Sequence, residues 1–261
     1  AALAAGAVLG RDFAARTLAG ALGGAPESLR ARLAPAGVAG LVDPAPGGWR
    51  FRHDTVREAL LARHASDRAL LHAAAARAIT ETAGYAPGLD TLMALAHHWE
   101  LADLPARAGP AALAAARASA AIHALPEALA YARTAHAMCE RARDDLSPAM
   151  LTESAEAHGD AAMAVGAYGE AAEVYRALTV LAAATDDRAA EGRAWLRLGD
   201  ALRRQERPAE AAGCYHEALR LLAEGHSRDI AEVLVALCDL EGLTLARYGE
   251  ARELGERALA L

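Results

Sequence analysis

Residues 195–219 read WLRLGDALRRQERPAEAAGCYHEAL and contain the spacing of one packed pair of helices. In the second half of this stretch, apolar residues recur four, three and four positions apart, at Ala211, Tyr215, Ala218 and Leu222. Side chains at that spacing lie on one face of an α-helix. The same spacing occurs forty residues earlier, at Ala171, Tyr175, Leu178 and Ala182. The two sets predict equivalent second helices of successive helix pairs.

The first helix of the pair repeats with the same period. Trp195, Leu198, Gly199 and Leu202 are preceded, forty residues earlier, by Ala155, His158, Gly159 and Ala162. Glycine at the same place in both copies indicates that two helices approach closely there. Because one such unit cannot bury its apolar face alone, the period predicts an α-solenoid of stacked helix pairs. Recognition along a surface, not catalysis, is the expected function.

The outer copies of the repeat are less regular. The last copy, YGEARELGERAL, has Asp239 where the glycine is expected and Gly255 where the aromatic residue is expected. An earlier set keeps the four-three-four spacing and predicts a fourth, looser unit: Ala128, Ala132, Ala135 and Cys139. We expect the array to occupy residues 109–261 and to continue beyond them, with connecting helices over residues 69–108.

The first 68 residues are organised differently. Short helices are predicted over residues 1–9 and 14–22, and Pro26 opens a third that runs toward Gly37. Two short apolar segments then flank a Pro/Gly turn, which predicts a β-hairpin over residues 41–51. Three helices followed by a hairpin are typical of a winged-helix domain, so the expected fold is mainly α with one small hairpin.

Composition limits the classes of function. The chain has a formal net charge of -7, which weighs against an extended nucleic-acid surface. Its three cysteines, Cys139, Cys214 and Cys238, lie in apolar helical patterns, which favours buried thiols in a reducing cytoplasm over a disulfide or metal site. All of its basic residues other than histidine are arginine, which suggests a GC-rich bacterial source. We expect a cytoplasmic protein without a membrane span.

No pattern of catalytic residues is present. A phosphate-binding loop needs a lysine, and the chain contains none. His97 and His98 are neighbours, whereas two ligands on one helical face need i and i+4 spacing, so we expect one packed and one exposed histidine rather than a metal site. We therefore expect a segment that is not an enzyme and that binds no cofactor or metal by itself.

Two family resemblances follow from the motifs. The stretch at residues 195–219 resembles the tetratricopeptide repeat, with its signature places occupied by Trp195, Leu198, Gly199, Ala211, Tyr215 and Ala218. Its step of forty residues is longer than the usual one. Four further motifs resemble the signal-transduction ATPases with numerous domains (STAND), in particular the large ATP-binding LuxR-type regulators: AGAVLGRDF, AGVAGLV, FRHDTVREAL and LAHHWELAD.

The STAND resemblance implies a longer protein. In that family an ATPase domain precedes the winged helix, a tetratricopeptide-like array follows it, and a DNA-binding helix-turn-helix often ends the chain. In related ATPases of the plant-resistance and apoptosis type, a Met-His-Asp motif begins the matching segment, and its histidine contacts ADP. His53 and Asp54 match that pair, although Arg52 replaces the methionine. The resemblance therefore implies that His53, helped by Arg57, senses the ATP or ADP phosphate held by an ATPase domain outside this chain.

The residues at this position also have interpretations of their own. Asp54 stands at the start of a predicted helix, where a carboxylate can cap free N–H groups. The alternative for His53 is a local pairing with Asp54 and Arg57. Direct DNA contact is disfavoured, because the candidate reading helix offers only Arg30 and Arg32 among apolar residues.

The repeat array offers a second candidate site. The inner, first helices of such arrays line a groove, and their polar residues here are Arg193, Arg197, Asp200, Arg204, Glu153, Glu156 and Asp160. We expect a protein partner or small-molecule inducer there, and the array also allows homo-oligomers. The favoured function is a regulatory segment of an ATP-dependent transcriptional regulator. The same module in a nucleotide cyclase or protein kinase, and a free-standing adaptor, remain alternatives.

Overall fold

The computed structural model describes residues 1–223 and 227–261, and it is mainly helical with one small sheet. Two compact units are present. The amino-terminal unit comprises residues 1–118 and 137–145, and the repeat unit comprises residues 119–136 and 146–261. Helices α7 (Pro105–Ala121) and α8 (Leu125–Arg141) each contribute residues to both units. The expected mainly helical fold with repeated helix pairs is confirmed.

The amino-terminal unit opens with three helices and three short strands. In chain order its elements are α1 (Ala2–Leu9), β1 (Asp12–Ala14), α2 (Ala15–Ala21), α3 (Pro26–Val38), β2 (Val42–Ala45), β3 (Gly48–Phe51), α4 (Asp54–Arg63), α5 (Arg68–Thr82) and α6 (Leu89–Leu101). A 3₁₀ turn, Ala65–Asp67, precedes α5. Pro26 stands in the first turn of α3, where its missing N–H costs nothing.

The three strands form one antiparallel sheet in the order β1-β3-β2. The predicted hairpin is confirmed: β2 and β3 pair across a turn in which Gly47 has a φ of 74°. Strand β1 is an addition that the sequence did not predict. Its backbone lies so close to Gly48 that a Cβ there would stand 2.1 Å from the carbonyl oxygen of Phe13. Glycine is therefore required at this pairing.

The core of the amino-terminal unit lies between this sheet and the first three helices. Phe13 and Phe51 contact each other with ring centroids 5.2 Å apart. Leu18, Leu29 and Leu33 are fully buried beside them. Burying large apolar side chains such as these is the main stabilising contribution to a small unit.

The repeat unit consists of successive antiparallel helix pairs. After its part of α8 come α9 (Pro148–Ala164), α10 (Tyr168–Ala184), α11 (Arg188–Arg204), α12 (Pro208–Leu222), α13 (Ser227–Asp239) and α14 (Tyr248–Leu259), with a π-helical turn at Leu240–Thr244. The first helices of three pairs are thus α9, α11 and α13. The apolar sets predicted to face the core are buried in α8, α10 and α12.

The repeated glycines set the spacing of the helix pairs. A Cβ at Gly159 would stand 2.3 Å from the ring of Tyr175, and a Cβ at Gly199 would stand 2.4 Å from the ring of Tyr215. The ring of each buried tyrosine contacts the preceding helix at the glycine, where that helix lacks a side chain. The predicted close approach at these glycines is confirmed.

The turn inside each helix pair also repeats. Gly166, Glu206 and Ala246, each forty residues after the last, adopt positive φ angles of 84°, 60° and 55°. This left-handed conformation lets the chain reverse between first and second helices. None of the helices in the described part of the chain combines the length and apolar character needed to span a lipid bilayer.

Candidate functional site

The first candidate site lies at the amino end of α4. His53 is the residue before the helix, with extended backbone and an exposed side chain that makes no capping hydrogen bond. Asp54 is already the first helical residue, so the prediction that it caps the helix is wrong. A capping side chain must come from the non-helical residue just before the first turn.

The carboxylate of Asp54 pairs with arginines instead. It lies 3.6 Å from Arg11 and 4.0 Å from Arg57. Arg57 also donates from Nη1 to the carbonyl oxygen of Ala7, at 3.3 Å, and its Nε is buried without a hydrogen-bond partner among the described residues. The structure thus brings Asp54 and Arg57 together, and it adds Arg11, which the sequence analysis missed.

Arg52, the residue before His53, pairs with a different carboxylate. The Arg52 guanidinium forms a two-pronged hydrogen bond with Asp43, at 2.6 and 3.1 Å, and lowers the pKa of that carboxyl group. The charge on His53 lowers it further. Among the described contacts, His53 forms no hydrogen bond or ion pair with Asp54 or Arg57. Its imidazole is therefore accessible at a positively charged helix start.

The second candidate site is the first-helix face, which we define as the polar surface of α9, α11 and α13. Arg197 on α11 forms an ion pair with Glu156 on α9, at 2.8 Å, and lies 4.0 Å from Asp160. Arg193 pairs with Asp229 on α13 at 3.2 Å. Polar residues predicted for the groove therefore connect three consecutive first helices.

Two of the predicted groove carboxylates are engaged by the tyrosines of the repeat. Tyr175 donates its hydroxyl hydrogen to Asp160, at 2.6 Å, and Tyr215 donates to Asp200 at 2.8 Å. Burial raises the pKa of Asp200, an effect that this hydrogen bond opposes. Of the remaining predicted residues, Arg204 is exposed and Glu153 is half-buried.

A cleft opens between α11 and α13 on this face, with a volume of about 480 Å³. Its lining residues are Leu196, Asp200, Arg203, Arg228, Ala231, Glu232, Val235, Ala236 and Asp239. Only Asp200 belongs to the groove that the sequence predicted. The forty-residue period could have identified the lining residues on α13, because it places a third first helix there. Leu196 and Arg203 lie on α11 beside Asp200.

A network of polar contacts connects α8, α9 and α10 near the first turn of α10. Arg133 donates two hydrogen bonds to Glu170, at 2.5 and 2.6 Å, and His158 Nε2 lies 2.6 Å from the same carboxylate. The Nδ1 atoms of His158 and His136 are 3.0 Å apart. The arginine above all lowers the pKa of Glu170 to about 2. This network connects three successive helices of the stack.

A second histidine pair is buried between α5 and α6. The Nδ1 atoms of His72 and His98 lie 2.8 Å apart, so one nitrogen donates and the other accepts. Burial, with the neighbouring His97, lowers the pKa of both rings to about 4. His97 is exposed, so the expectation of one packed and one exposed histidine in this dipeptide is confirmed.

Comparison with known proteins places the fold. No family model matches the chain. No curated protein matches it either. Among solved structures, it is similar to BtubC (BKLC) from P. vanneervenii, at 18% identity over 75% of this chain and 72% of that one, with a TM-score of 0.50.

A second similar structure covers almost the whole chain. It is a Signal Transduction ATPase with Numerous Domains (STAND) protein with a tetratricopeptide repeat sensor, from Pyrococcus horikoshii. The match has 14% identity and a TM-score of 0.52, and it spans 99% of this chain and 49% of that protein. At such identities the likeness concerns the fold alone. The chain therefore has a tetratricopeptide-like helical fold, as its forty-residue period predicts.

Proposed function

We propose that this chain is the sensor and regulatory segment of a multidomain, ATP-dependent transcriptional regulator and performs no chemistry itself. In this proposal the repeat unit binds an inducer or a partner protein on the first-helix face. The amino-terminal unit passes the change in occupancy to a nucleotide held by an ATPase domain elsewhere in the protein. Coupling of this kind requires two states that differ in their contacts at both sites.

The observation that carries the proposal is the continuity of the first-helix face. Its ion pairs run from Glu156 through Arg197 and from Arg193 to Asp229, across three stacked helices. The exposed fraction of the side chain is 18% for Asp229, 32% for Arg197 and Glu156, and 43% for Arg193, so these groups are positioned before a ligand arrives. Asp160 is more exposed, at 56%. Prepositioned side chains lower the entropic cost of binding.

The order of elements supports a winged helix at the amino terminus. The three helices and three strands follow one another in the order α1, β1, α2, α3, β2, β3. Strand β1, which lies between the first two helices in the chain, pairs with the hairpin strand β3. This is the arrangement that we expect for a winged-helix hinge over residues 1–68. Its hairpin leads directly into α4 through Arg52 and His53.

Contact with nucleotide phosphate is proposed at that junction. The exposed His53 and the adjacent Arg11 and Arg57 offer donors, and Asp54 balances one of the two guanidinium charges. A bound ATP or ADP would supply the anionic phosphates that these donors recognise. His53 would hold its proton toward a phosphate oxygen, and Arg57 would stay anchored to α1 through its bond to Ala7.

The sensor role is tested by binding. A partner isolated with the full-length protein is titrated onto this chain and onto a variant carrying Arg193→Ala and Arg197→Ala. We expect the variant to bind at least about tenfold more weakly. The matched control is Arg220→Ala, because Arg220 is an exposed arginine on a second helix that pairs only with Glu217 within the described chain. An equal loss of partner affinity in the Arg193/Arg197 variant and in Arg220→Ala would contradict the assignment of the first-helix face as the binding surface.

The nucleotide role is tested separately. His53→Ala in the full-length protein should speed the release of bound ADP and raise basal activity. His64→Ala, at the far end of α4, serves as the control because it lies outside the junction. Unchanged ADP release and unchanged basal activity in His53→Ala would remove His53 from the account.

A further inference from the structure

A further cleft lies in the amino-terminal unit and shares no residue with the α4 junction or the first-helix face. It is formed by α5, the end of α6, the start of α7 and Asp145, and it has a volume of about 760 Å³. Small-molecule sites fall in the range of about 300–1,000 Å³. Its lining residues are Arg77, Thr80, Glu81, Trp99, Leu104, Pro105, Ala106, Arg107, Pro110 and Asp145.

One wall of the cleft is aromatic and apolar. Trp99 is half-buried and contributes its indole, and Leu104 beside it is 41% exposed. An indole offers a large flat surface on which another ring can stack. The buried His72–His98 pair holds α5 against α6 next to this tryptophan, so its position is fixed by packing.

Two arginines in the cleft are free to bind an anion. Within the described residues, neither Arg77 nor Arg107 has an ion-pair partner, unlike most arginines of the chain. Arg77 reaches the cleft from α5 and Arg107 from the first turn of α7. A planar guanidinium binds a carboxylate or a phosphate through two parallel hydrogen bonds.

The same cleft contains two unpaired carboxylates, Glu81 and Asp145. They balance the two arginine charges, so the cleft suits a ligand with one anionic group rather than a chain of phosphates. They also accept hydrogen bonds, which favours a ligand that carries amino or ammonium N–H groups. The cleft therefore combines an aromatic stacking surface, arginine N–H groups that can donate to an anion, and carboxylates that can accept from N–H groups.

We infer that this cleft binds a small molecule that carries a flat aromatic ring, one anionic group and an N–H donor. The ring stacks on Trp99, the anion pairs with Arg77 and Arg107, and the N–H group is bound by Glu81 or Asp145. Two chemical sources share these features, a purine nucleoside monophosphate and an aromatic amino acid. The inference is independent of the first-helix face, since no residue is common to the two sites.

The test is calorimetric titration of the 261-residue chain with AMP and, separately, with L-tryptophan. Adenosine, indole and inorganic phosphate, which each lack part of the recognised chemistry, are the comparison ligands. We expect one of the two complete ligands to bind at least about tenfold more tightly than its fragments. Binding by AMP assigns the nucleotide, and binding by L-tryptophan assigns the amino acid. Absence of binding by both at about 5 mM overturns the inference.

Variants connect the binding to the cleft. Arg107→Ala and Trp99→Leu should each weaken binding of the better ligand about tenfold, and Trp99→Phe, which keeps a ring, should restore most of it. Arg32→Ala, an exposed arginine on α3 outside the cleft, should have no effect. Arg77 is exposed, so Arg77→Ala should fold normally and provides a second measurement of ligand affinity if a Trp99 variant fails to fold. Unchanged affinity in Arg77→Ala and Arg107→Ala overturns the inference.

Discussion

Gly159 and Gly199 determine how closely the paired helices of the repeat pack. Each leaves room for a tyrosine ring from the next helix, and the ring then reaches an aspartate on the first helix with its hydroxyl group. The last copy replaces this combination: Asp239 stands in the glycine place, and Gly255 stands in the tyrosine place. In the last copy the first helix thus gains a side chain at the position where the second helix loses its aromatic ring.

Gly199→Ala should destabilise the chain by about 2 kcal/mol, because the new Cβ would stand 2.4 Å from the Tyr215 ring. Gly213→Ala is the matched control, since that exposed helical position has no atom within 4 Å of an added Cβ. There alanine should stabilise by up to about 1 kcal/mol. Urea unfolding of both variants measures the difference, and similar effects at the two glycines would refute the packing argument.

The close helix approach at Gly159 and Gly199 was predictable from sequence because the glycine recurs with a fixed period, whereas its tyrosine partner was not predicted. The His72–His98 pair was not predicted either, because its two residues lie 26 positions apart on different helices. The sequence shows His97 and His98 side by side, yet only packing of α5 on α6 selects the buried one and supplies His72.

The buried histidine pair should make stability depend on pH. Folding lowers the pKa of His72 and His98 to about 4, below the ordinary value of 6.5, so the unfolded chain binds more protons in acid. Stability should be constant above pH 6.5 and fall between 6.5 and 4, by up to about 1.4 kcal/mol per pH unit for each histidine. Urea unfolding at a series of pH values measures the slope.

Two variants isolate this effect. His72→Leu should reduce the acid slope by about half, since it removes one of the two titrating rings. His123→Asn is the control, because His123 is exposed and has the positive φ of 59° that asparagine tolerates. An acid slope that is the same in His72→Leu as in the unmodified chain would show that other groups control it.

Each second helix of the repeat has a glutamate in its first turn, and the partner of this glutamate differs between the copies. Glu210 pairs with Arg207 in its own turn, and Glu250 lies 3.8 Å from Arg247 in the same way. The first copy has Ala167 in place of that arginine. Glu170 instead reaches Arg133 and His158 on the two preceding helices, which makes it a contact between helices.

Glu170→Gln should therefore cost about 1–2 kcal/mol of stability at neutral pH. Glu210→Gln should cost less than about 0.5 kcal/mol, because its ion pair is exposed and local. The Glu170 contribution is present above about pH 4.5 and is lost as the pH falls toward 2, the folded-state pKa. Thermal unfolding at pH 7 compares the two variants, and a larger loss in Glu210→Gln would contradict this ranking.

The elements that sequence patterns missed are those fixed by distant contacts. Strand β1 has only three residues, too few to show alternation, and it forms because β3 pairs with it. The π-helical turn after α13 has no local signal either. By contrast, the helices of the repeat and the hairpin were predictable, since periodicity and turn residues lie within each element.

For the whole molecule, the two units carry different parts of the proposed function. The repeat unit presents connected polar side chains and a cleft between α11 and α13, and its candidate residues were partly predictable from the forty-residue period. The amino-terminal unit holds the α4 junction and a separate cleft beside Trp99. That cleft was not predicted, because it is assembled from three helices that share no repeated motif.

Site-specific photocrosslinking tests the central claim, which is that the first-helix face is the recognition surface. A photoreactive amino acid is placed at Val235, an exposed residue lining the α11–α13 cleft, or at Val180, an exposed residue on the second helix α10. In cells that produce the full-length protein, we predict one defined covalent adduct from position 235 and none from position 180. An adduct at position 180 with none at position 235 would contradict the account.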